Sequence, residues 1–272
     1  FRKNIDKKSL IIGIGGGVVS DIAGFAASIF LRSVPVMFIP TTLLAQADAA
    51  IGGKNAVNIG KIKNVLGTIN QPKAIFVDIN WLKTLPRKEF TSGMAEIIKY
   101  GLGFDRKILF ENNIEKLIKQ SVKIKTRIVD EDPFEKTGKR KLLNLGHTLG
   151  HALEAQKNLN LSHGEAIAIG LNFACFVAYK LGNITLNDMR LIEEILRKNK
   201  LPVIINFDIK ETMKKIARDK KRTKNQIDFI TIKRIGQAYI HKFSISELKQ
   251  YLTQFVCWNL QQQENRMVRH MP

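Results

Sequence analysis

The 272-residue chain has little cysteine, no long uninterrupted apolar run and few acids for its number of bases. Its two cysteines, Cys175 and Cys257, lie far apart. That spacing supports neither a disulfide framework nor a cysteine metal site, and it fits a reducing compartment, so a cytoplasmic location is expected. The longest apolar candidate, Leu10 to Phe30, contains Asp21 and a glycine cluster, whereas a membrane span takes about 20 apolar residues. No secretory signal pattern and no internal repeat are present.

Lysine and arginine number 44 against 24 aspartate and glutamate, for a formal charge of +20. An excess of that size accompanies nucleic-acid binding or acidic ligands. Here the bases are scattered, mostly over polar helix faces as in residues 116–125 and 210–224, and no nucleic-acid-reading motif accompanies them. A basic, non-catalytic binding protein is the weaker reading. Neither a nucleic-acid nor a membrane partner is expected.

Apolar runs at Ser9–Ile14, Pro35–Ile39 and Ala74–Asp78 are separated by glycine and proline turns and by a helical stretch from Val19 to Leu31. Short apolar strands alternating with helix predict a parallel α/β sheet. The chain begins at Phe1 and enters a strand pattern within nine residues, so an N-terminally truncated sheet is expected. From Trp81 onward the pattern is helical: Phe90–Leu102, Lys107–Val129, Asn144–Leu153, Gly164–Leu181 and Leu186–Lys198. Residues 226–233 and 236–242 read as a hairpin. Ser244 and Glu247 form a capping box opening a last helix to about Leu252. Residues 256–272 are expected to be a disordered tail.

Four segments carry candidate chemistry. Gly15, Gly16, Gly17, Val18, Val19, Ser20 and Asp21 stand between a strand and a helix, where glycines let backbone N–H groups approach a pyrophosphate. A plain structural turn explains them equally well. Pro40-Thr41-Thr42 leads to Asp48 and then Gly52-Gly53-Lys54, with Lys61, Lys63 and Asn64 following. That set suits phosphate and hydroxyl recognition at the carboxyl edge of a sheet, although a solvated basic loop accounts for Lys61. Glu96, with Lys99 one turn on, joins His147, His151 and His163, three of the chain's five histidines within 17 residues. Two imidazoles and one carboxylate with an open position are a catalytic zinc pattern, and spacing alone does not choose among the three histidines. Glu135, Arg140 and Asn144 complete the candidates as a charged stretch.

The motifs Gly-Gly-Gly-Val-Val-Ser-Asp21, Pro-Thr-Thr-Leu-Leu-Ala-Gln-Ala-Asp48, Gly-Gly-Lys54, Gly-Met-Ala-Glu-Ile-Ile-Lys99, Asn-Leu-Gly-His-Thr-Leu-Gly-His-Ala152 and His-Gly-Glu-Ala166 occur in this order. In that order they closely resemble the 3-dehydroquinate synthase family of sugar-phosphate cyclases, over roughly residues 10–252. The resemblance implies a Rossmann-like, NAD-binding α/β domain, here partial and spanning residues 1–80. It also implies a mainly helical metal- and substrate-binding domain over residues 81–255, an active site in the cleft between the two, and a homodimer. Glu96, His147 and His163 match the family's zinc ligands, with cobalt as an alternative metal. His151 and Glu135 match proton-transfer residues, and Lys99 and Asp48 are counted with them as catalytic. The NAD contacts fall on Gly15 to Asp21, Thr41, Thr42, Lys54, Lys63, Trp81, Leu82, Lys83 and Thr84. The substrate contacts fall on Asp48, Lys54, Asn64, Lys99, Asn144 and His151. Lys125 and Arg140 match the substrate-carboxylate clamp. Arg32 matches a residue that reaches a neighbouring subunit's phosphate, and Lys220 and Lys221 match a further phosphate position.

The implied substrate is a small-molecule sugar phosphate, 3-deoxy-D-arabino-heptulosonate 7-phosphate. It is converted to 3-dehydroquinate and phosphate by transient oxidation, β-elimination, reduction and intramolecular aldol closure, in the shikimate route to aromatic amino acids. Two departures stand out. Four residues, Lys136 to Lys139, separate Glu135 from Arg140, one more than in the family pattern. Asn55 replaces a common threonine. Competing readings are a cyclase of the 2-deoxy-scyllo-inosose or valiolone type, whose substrates lack the carboxylate, and a metal-dependent polyol dehydrogenase.

Overall fold

The computed structural model describes residues 5–60, 62–219 and 226–269. Three of the apolar runs become the parallel strands β1 (Ile11–Gly15), β2 (Val36–Pro40) and β5 (Ala74–Ile75), in the order β1-β2-β5. Ile11 pairs with Val36 and Gly15 with Pro40. Helix α1 (Gly17–Ile29) covers one face of this sheet. Ala27 packs there with Val34, Val36, Phe38 and Ala50, flanked by Ile11 and Ile75. The alternate residues Ile12, Ile14 and Phe76 are exposed. The chain leaves α1 through Leu31, Arg32 and Ser33, three consecutive non-glycine residues with φ of 46°, 66° and 98°. Such backbone is costly for L-residues and persists only where its surroundings fix it. Here Val34 N–H donates to Ala27 C=O at 2.9 Å.

The stretch after Gly52-Gly53, for which a solvated basic loop is the alternative reading, is an antiparallel hairpin, β3 (Lys54–Ile59) and β4 (Ile62–Ile69). Its polar residues sit on both faces and a register shift falls between Val57 and Ile59, so the period-2 apolar signal is lost. Asn55 closes the open end. Its Nδ2 donates to Gly53 C=O at 2.8 Å and to Asn70 C=O at 3.0 Å. A Cβ on Gly24 of α1 would fall 2.0 Å from Asn55 Oδ1, so the amide uses space that only glycine leaves.

Helix α2 (Arg87–Gly103) agrees with its expectation within three residues. The single helix expected over Lys107–Val129 is broken. A 3₁₀ turn (Arg106–Phe110) precedes α3 (Ile114–Glu131). Asn113 caps α3 by accepting from Lys116 N–H at 3.1 Å, and Glu111 accepts from Asn112 and Asn113 N–H. These side chains supply acceptors for N–H groups at the start of a helix that begins here.

The chain forms two compact units, one built from the chain up to Ile97 with Phe110–Arg140, the other from Ile98–Leu109 with the chain from Lys141. The division falls inside α2 rather than at residue 80. In the second unit α4 (His147–Glu154) and α6 (Leu186–Lys198) pack on α5 (His163–Lys180), which is buried on nearly all sides, and α7 (Ile209–Asp219) packs on α4. The hairpin β6 (Gln226–Arg234) and β7 (Gln237–Ser244) forms as expected. Helix α8 (Ile245–Arg269) opens with the Ser244–Glu247 capping box and runs well past Leu252. The tail expected to be disordered is therefore helical to Arg269. Leu248, Leu252, Phe255 and Asn259 are buried at helical spacing, and Trp258 lies 6.3 Å from the Phe176 ring, so the apolar stripe continues under a polar-looking sequence.

Helices α4 and α5 cross at glycines. A Cβ on Gly170 would stand 1.9 Å from the Gly146 carbonyl oxygen, and one on Gly150 would stand 2.8 Å from Ile167 Cδ1. Gly170→Ala is expected to destabilise the chain by about 1–3 kcal/mol through overpacking, despite a helix-propensity gain of about 1 kcal/mol. Urea denaturation of the metal-free chain measures this, and an unchanged midpoint would contradict the close crossing.

Candidate active site

The first unit gathers the glycine turn, the strand ends and most of the cationic candidates. Gly15 ends β1 and Gly16 precedes α1, whose first turn carries no acid and no side-chain cap. The turn is tight, since a Cβ on Gly15 would meet Val19 Cγ2 at 2.5 Å and one on Gly16 would meet Thr42 Cγ2 at 3.0 Å. Thr41 N–H donates to Gly15 C=O at 2.9 Å, which sets Thr41 and Thr42 beside the helix N-terminus. Val18 and Val19 are exposed, whereas Ser20 is buried and donates to Gly17 C=O at 2.9 Å. Uncapped N–H groups and this backbone approach suit an anion. Trp81, Leu82, Lys83 and Thr84 form a 3₁₀ turn (Ile79–Thr84) capped by Asp78.

Gln46 links these pieces, and the sequence reading gave it no role. It is fully buried in a π-helical turn (Ala45–Ala49). Its Nε2 donates to Pro40 C=O at 3.0 Å and to Asp78 C=O at 2.8 Å. One side chain thereby ties the end of β2 to the cap of the Trp81 turn. Its position inside a quoted motif was the available signal.

Asp48, in the same turn, forms an ion pair with Lys125 of α3, whose ammonium also donates to Asp48 C=O at 2.8 Å. Lys54 Nζ lies 2.5 Å from Glu135 Oε1. Arg140 is buried, and its guanidinium donates to Gly52 C=O at 2.6 Å and to Pro133 C=O at 3.0 Å. Burial lowers its pKa, opposed by Glu135, Asp132 and Asp48. Asp48, Lys54, Lys125, Glu135 and Arg140 are thus brought together, with both lysines already paired to carboxylates. Lys63 lies in β4, and the exposed Asn64 has φ of 51°. Arg32 is exposed on the strained turn. Lys220 and Lys221 lie outside the described residues.

Asp132, a second residue without a sequence-based role, organises the loop that carries Glu135. It accepts from Thr137 N–H and Arg140 N–H, both at 3.1 Å. Burial alone would raise its pKa, but these N–H groups and the Thr137 hydroxyl bring it down to about 2. Gly138 at φ 83° and Glu135 at φ 55° take up the turn, so the extra residue before Arg140 is accommodated inside a closed loop.

Histidines dominate the second unit. His147 and His151 share one face of α4, with ring centroids 5.0 Å apart, and His163 opens α5 with its centroid 6.0 Å from His147 and 6.4 Å from His151. The capping box fixes the start of α5, with Ser162 N–H donating to Glu165 Oε2 at 2.8 Å. Glu96 is buried on α2, two residues before the part of that helix belonging to the second unit. Glu96, His147 and His163 each offer a ligand atom, and the three atoms lie within 4.8 Å of one another. His147 Nδ1 stands 3.0 Å from Leu145 C=O. A carbonyl only accepts, so Nδ1 carries the proton and Nε2 keeps its lone pair. Two imidazoles and one buried carboxylate fit a divalent cation with an open coordination position. His151, close by and exposed, is not in the ligand group. Lys99 is buried with its ammonium 4.7 Å from the Tyr100 ring centroid, and Asn144 is exposed at the end of a 3₁₀ turn.

Asp21 and Asp132 lead to opposite pH expectations. Burial pushes Asp21 from 3.8 up to about 6, partly offset by the Ala56 N–H and the Lys125 charge. Its ionisation therefore costs stability as pH rises from about 4 through 6. Asp21→Asn should stabilise the ligand-free chain above pH 6 and change nothing below pH 4. Asp132 contributes stability that is present above about pH 4 and lost as pH falls toward 2. Asp132→Asn should be less stable than the parent at pH 6, with the gap narrowing below pH 4. Denaturant titrations across that range check both signs.

The 3-dehydroquinate synthase N-terminal model matches residues 1–92, and the 3-dehydroquinate synthase C-terminal model matches residues 93–222. A 3-dehydroquinate synthase of Methylacidiphilum infernorum is 43% identical over 242 residues, covering 85% of this chain and 67% of that protein. One from Campylobacter concisus is 42% identical over 250 residues, covering 88% and 72%. Among solved structures, 2-epi-5-epi-valiolone synthase of Streptomyces hygroscopicus, with NAD+ and Zn2+ bound, superposes with a TM-score of 0.84 at 24% identity over 94% of this chain and 76% of that one. A 2-deoxy-scyllo-inosose synthase complexed with carbaglucose-6-phosphate, NAD+ and Co2+ gives 0.79 at 24% identity over 92% and 75%. These two structures establish the likeness of fold.

Proposed function

The chain belongs to the 3-dehydroquinate synthase family, and from that premise we propose that it converts 3-deoxy-D-arabino-heptulosonate 7-phosphate to 3-dehydroquinate and inorganic phosphate, using NAD and a divalent metal, zinc before cobalt. The observation that carries this reading is the ligand group of Glu96, His147 and His163 in a chain matched to the family at both of its domains. It is supported by relatives with that name at 42–43% identity, against 24% for the valiolone and scyllo-inosose synthases. The reaction class is a phosphate-eliminating carbon–oxygen lyase.

When bound, the metal supplies polarisation of substrate hydroxyls, and NAD supplies an acceptor and later a donor of hydride. The protein's own groups hold and orient. The glycine turn and α1 N-terminus receive the dinucleotide pyrophosphate, with Thr41, Thr42 and the Trp81 turn around it. Lys54 and Lys125 offer cations for the two anionic ends of the substrate, and each must exchange its carboxylate partner to do so. Arg140 holds the Gly52 loop and so positions Lys54. Glu135, once freed from Lys54, and His151 move protons in this reading. Asp48, Asn64, Lys99 and Asn144 hold hydroxyl groups, with Arg32 acting on a second copy in a homodimer.

The test is phosphate release from the heptulosonate phosphate with zinc, with and without NAD. NAD-dependent release without NADH accumulation is expected. Net NADH would point to a dehydrogenase, a class whose Schizosaccharomyces pombe glycerol dehydrogenase shares this fold at a TM-score of 0.62. Turnover only of a sugar phosphate lacking the carboxylate would point to the other cyclases. His151→Ala should lower kcat about 100- to 10,000-fold, as for loss of a general acid–base group, while zinc affinity stays at the parental value.

A further inference from the structure

Glu154 is the last residue of α4, where an acidic side chain faces the negative end of the helix dipole and is locally unfavourable. A residue that breaks a local rule calls for a compensating partner. That partner is His163, whose Nδ1 lies 3.4 Å from Glu154 Oε2, with the carboxylate side chain only 16% exposed.

The two metal-site histidines are held in parallel ways. His147 Nδ1 faces the Leu145 carbonyl, and His163 Nδ1 faces the Glu154 carboxylate. Each partner accepts a hydrogen bond, so each ring keeps its proton on Nδ1 and presents the Nε2 lone pair. Such outer partners fix ring orientation and raise ligand basicity. Glu154 is not itself in the ligand group of Glu96, His147 and His163.

We infer that Glu154 is a positioning residue for the metal centre, which locks the tautomer and rotation of His163 so that Nε2 serves as the ligand atom. The inference rests on the metal-dependent reading above. It is separable from that reading because it concerns one residue's contribution to affinity. No kinetic step is assigned to Glu154.

The test uses the full chain and its Glu154→Ala, Glu154→Asp and Glu154→Gln variants. Zinc dissociation constants come from competition with a chromophoric chelator, and coordination is read from the visible absorption of the cobalt-loaded forms. Glu154→Ala should bind zinc about 10- to 100-fold more weakly with altered cobalt bands, while the melting of the metal-free chain is unchanged. Glu154→Asp withdraws the carboxylate from the ring and should behave like the alanine variant. Glu154→Gln keeps an acceptor oxygen and should recover most of the affinity. Parental affinity and cobalt spectrum in Glu154→Ala would overturn the inference. If that variant does not fold, the same result in Glu154→Asp would overturn it. A parent chain that binds neither metal would overturn the metal-dependent reading as well.

Discussion

Gly170 has no side chain, so the carbonyl of Gly146 stands almost where its Cβ would be. This contact sets the spacing of α4 and α5, and the chemistry of the second unit hangs from that spacing. With α4 against α5, His147 on one helix and His163 on the other come to 6.0 Å between ring centroids. Gly146 serves twice, since its φ of 80° also turns the chain into α4 and allows His147 to be the first residue of that helix. Interiors are packed without slack, so a methyl group here cannot be absorbed by a small tilt without moving the ligand atoms apart.

The first unit works through electrostatics that are balanced before any ligand arrives. Lys54 with Glu135 and Lys125 with Asp48 are neutral as pairs. The Lys125 ammonium, only 12% exposed, is tolerable in the ligand-free chain under that condition, whereas Lys54 is exposed. Any anion that reached either lysine would compete with the protein's own carboxylates, so its affinity would be the difference between two ion pairs rather than the strength of one. Under the proposed function, that competition would favour a dianionic phosphate over a weakly charged molecule.

Much of this was legible in the sequence because the informative residues are local. The glycine turn after β1, the i, i+4 histidines of α4 and the capping box of α8 each declare themselves within a few positions. The hairpin over Lys54–Ile69 was not legible, because polar residues on both faces erase the alternation that marks a strand. The extension of α8 was hidden for a related reason. Its buried stripe is sparse beyond Phe255 and includes Asn259, an amide whose Nδ2 bonds the Phe255 carbonyl. Gln46, Asp132 and Glu154 were invisible for a third reason. Their partners are backbone groups or a histidine, at separations from five to 32 residues, and no spacing rule links a polar side chain to a carbonyl or N–H that far away. The resemblance to a family supplied ligand and contact sets that periodicity alone left open, but it said nothing of the residues that hold those sets in place.

The sheet of the first unit is covered by α1 on one face, while Ile12, Ile14 and Phe76 meet solvent on the other, at 47%, 54% and 66% exposure. Parallel sheets are ordinarily covered on both faces. Two opposed tendencies follow for the chain in solution. The uncovered apolar face draws copies together, while the formal charge of +20 keeps them apart. The second tendency is screened over about 10 Å at 0.1 M salt and the first is not. Added salt therefore weakens the repulsion between copies while leaving the apolar attraction of this face in place.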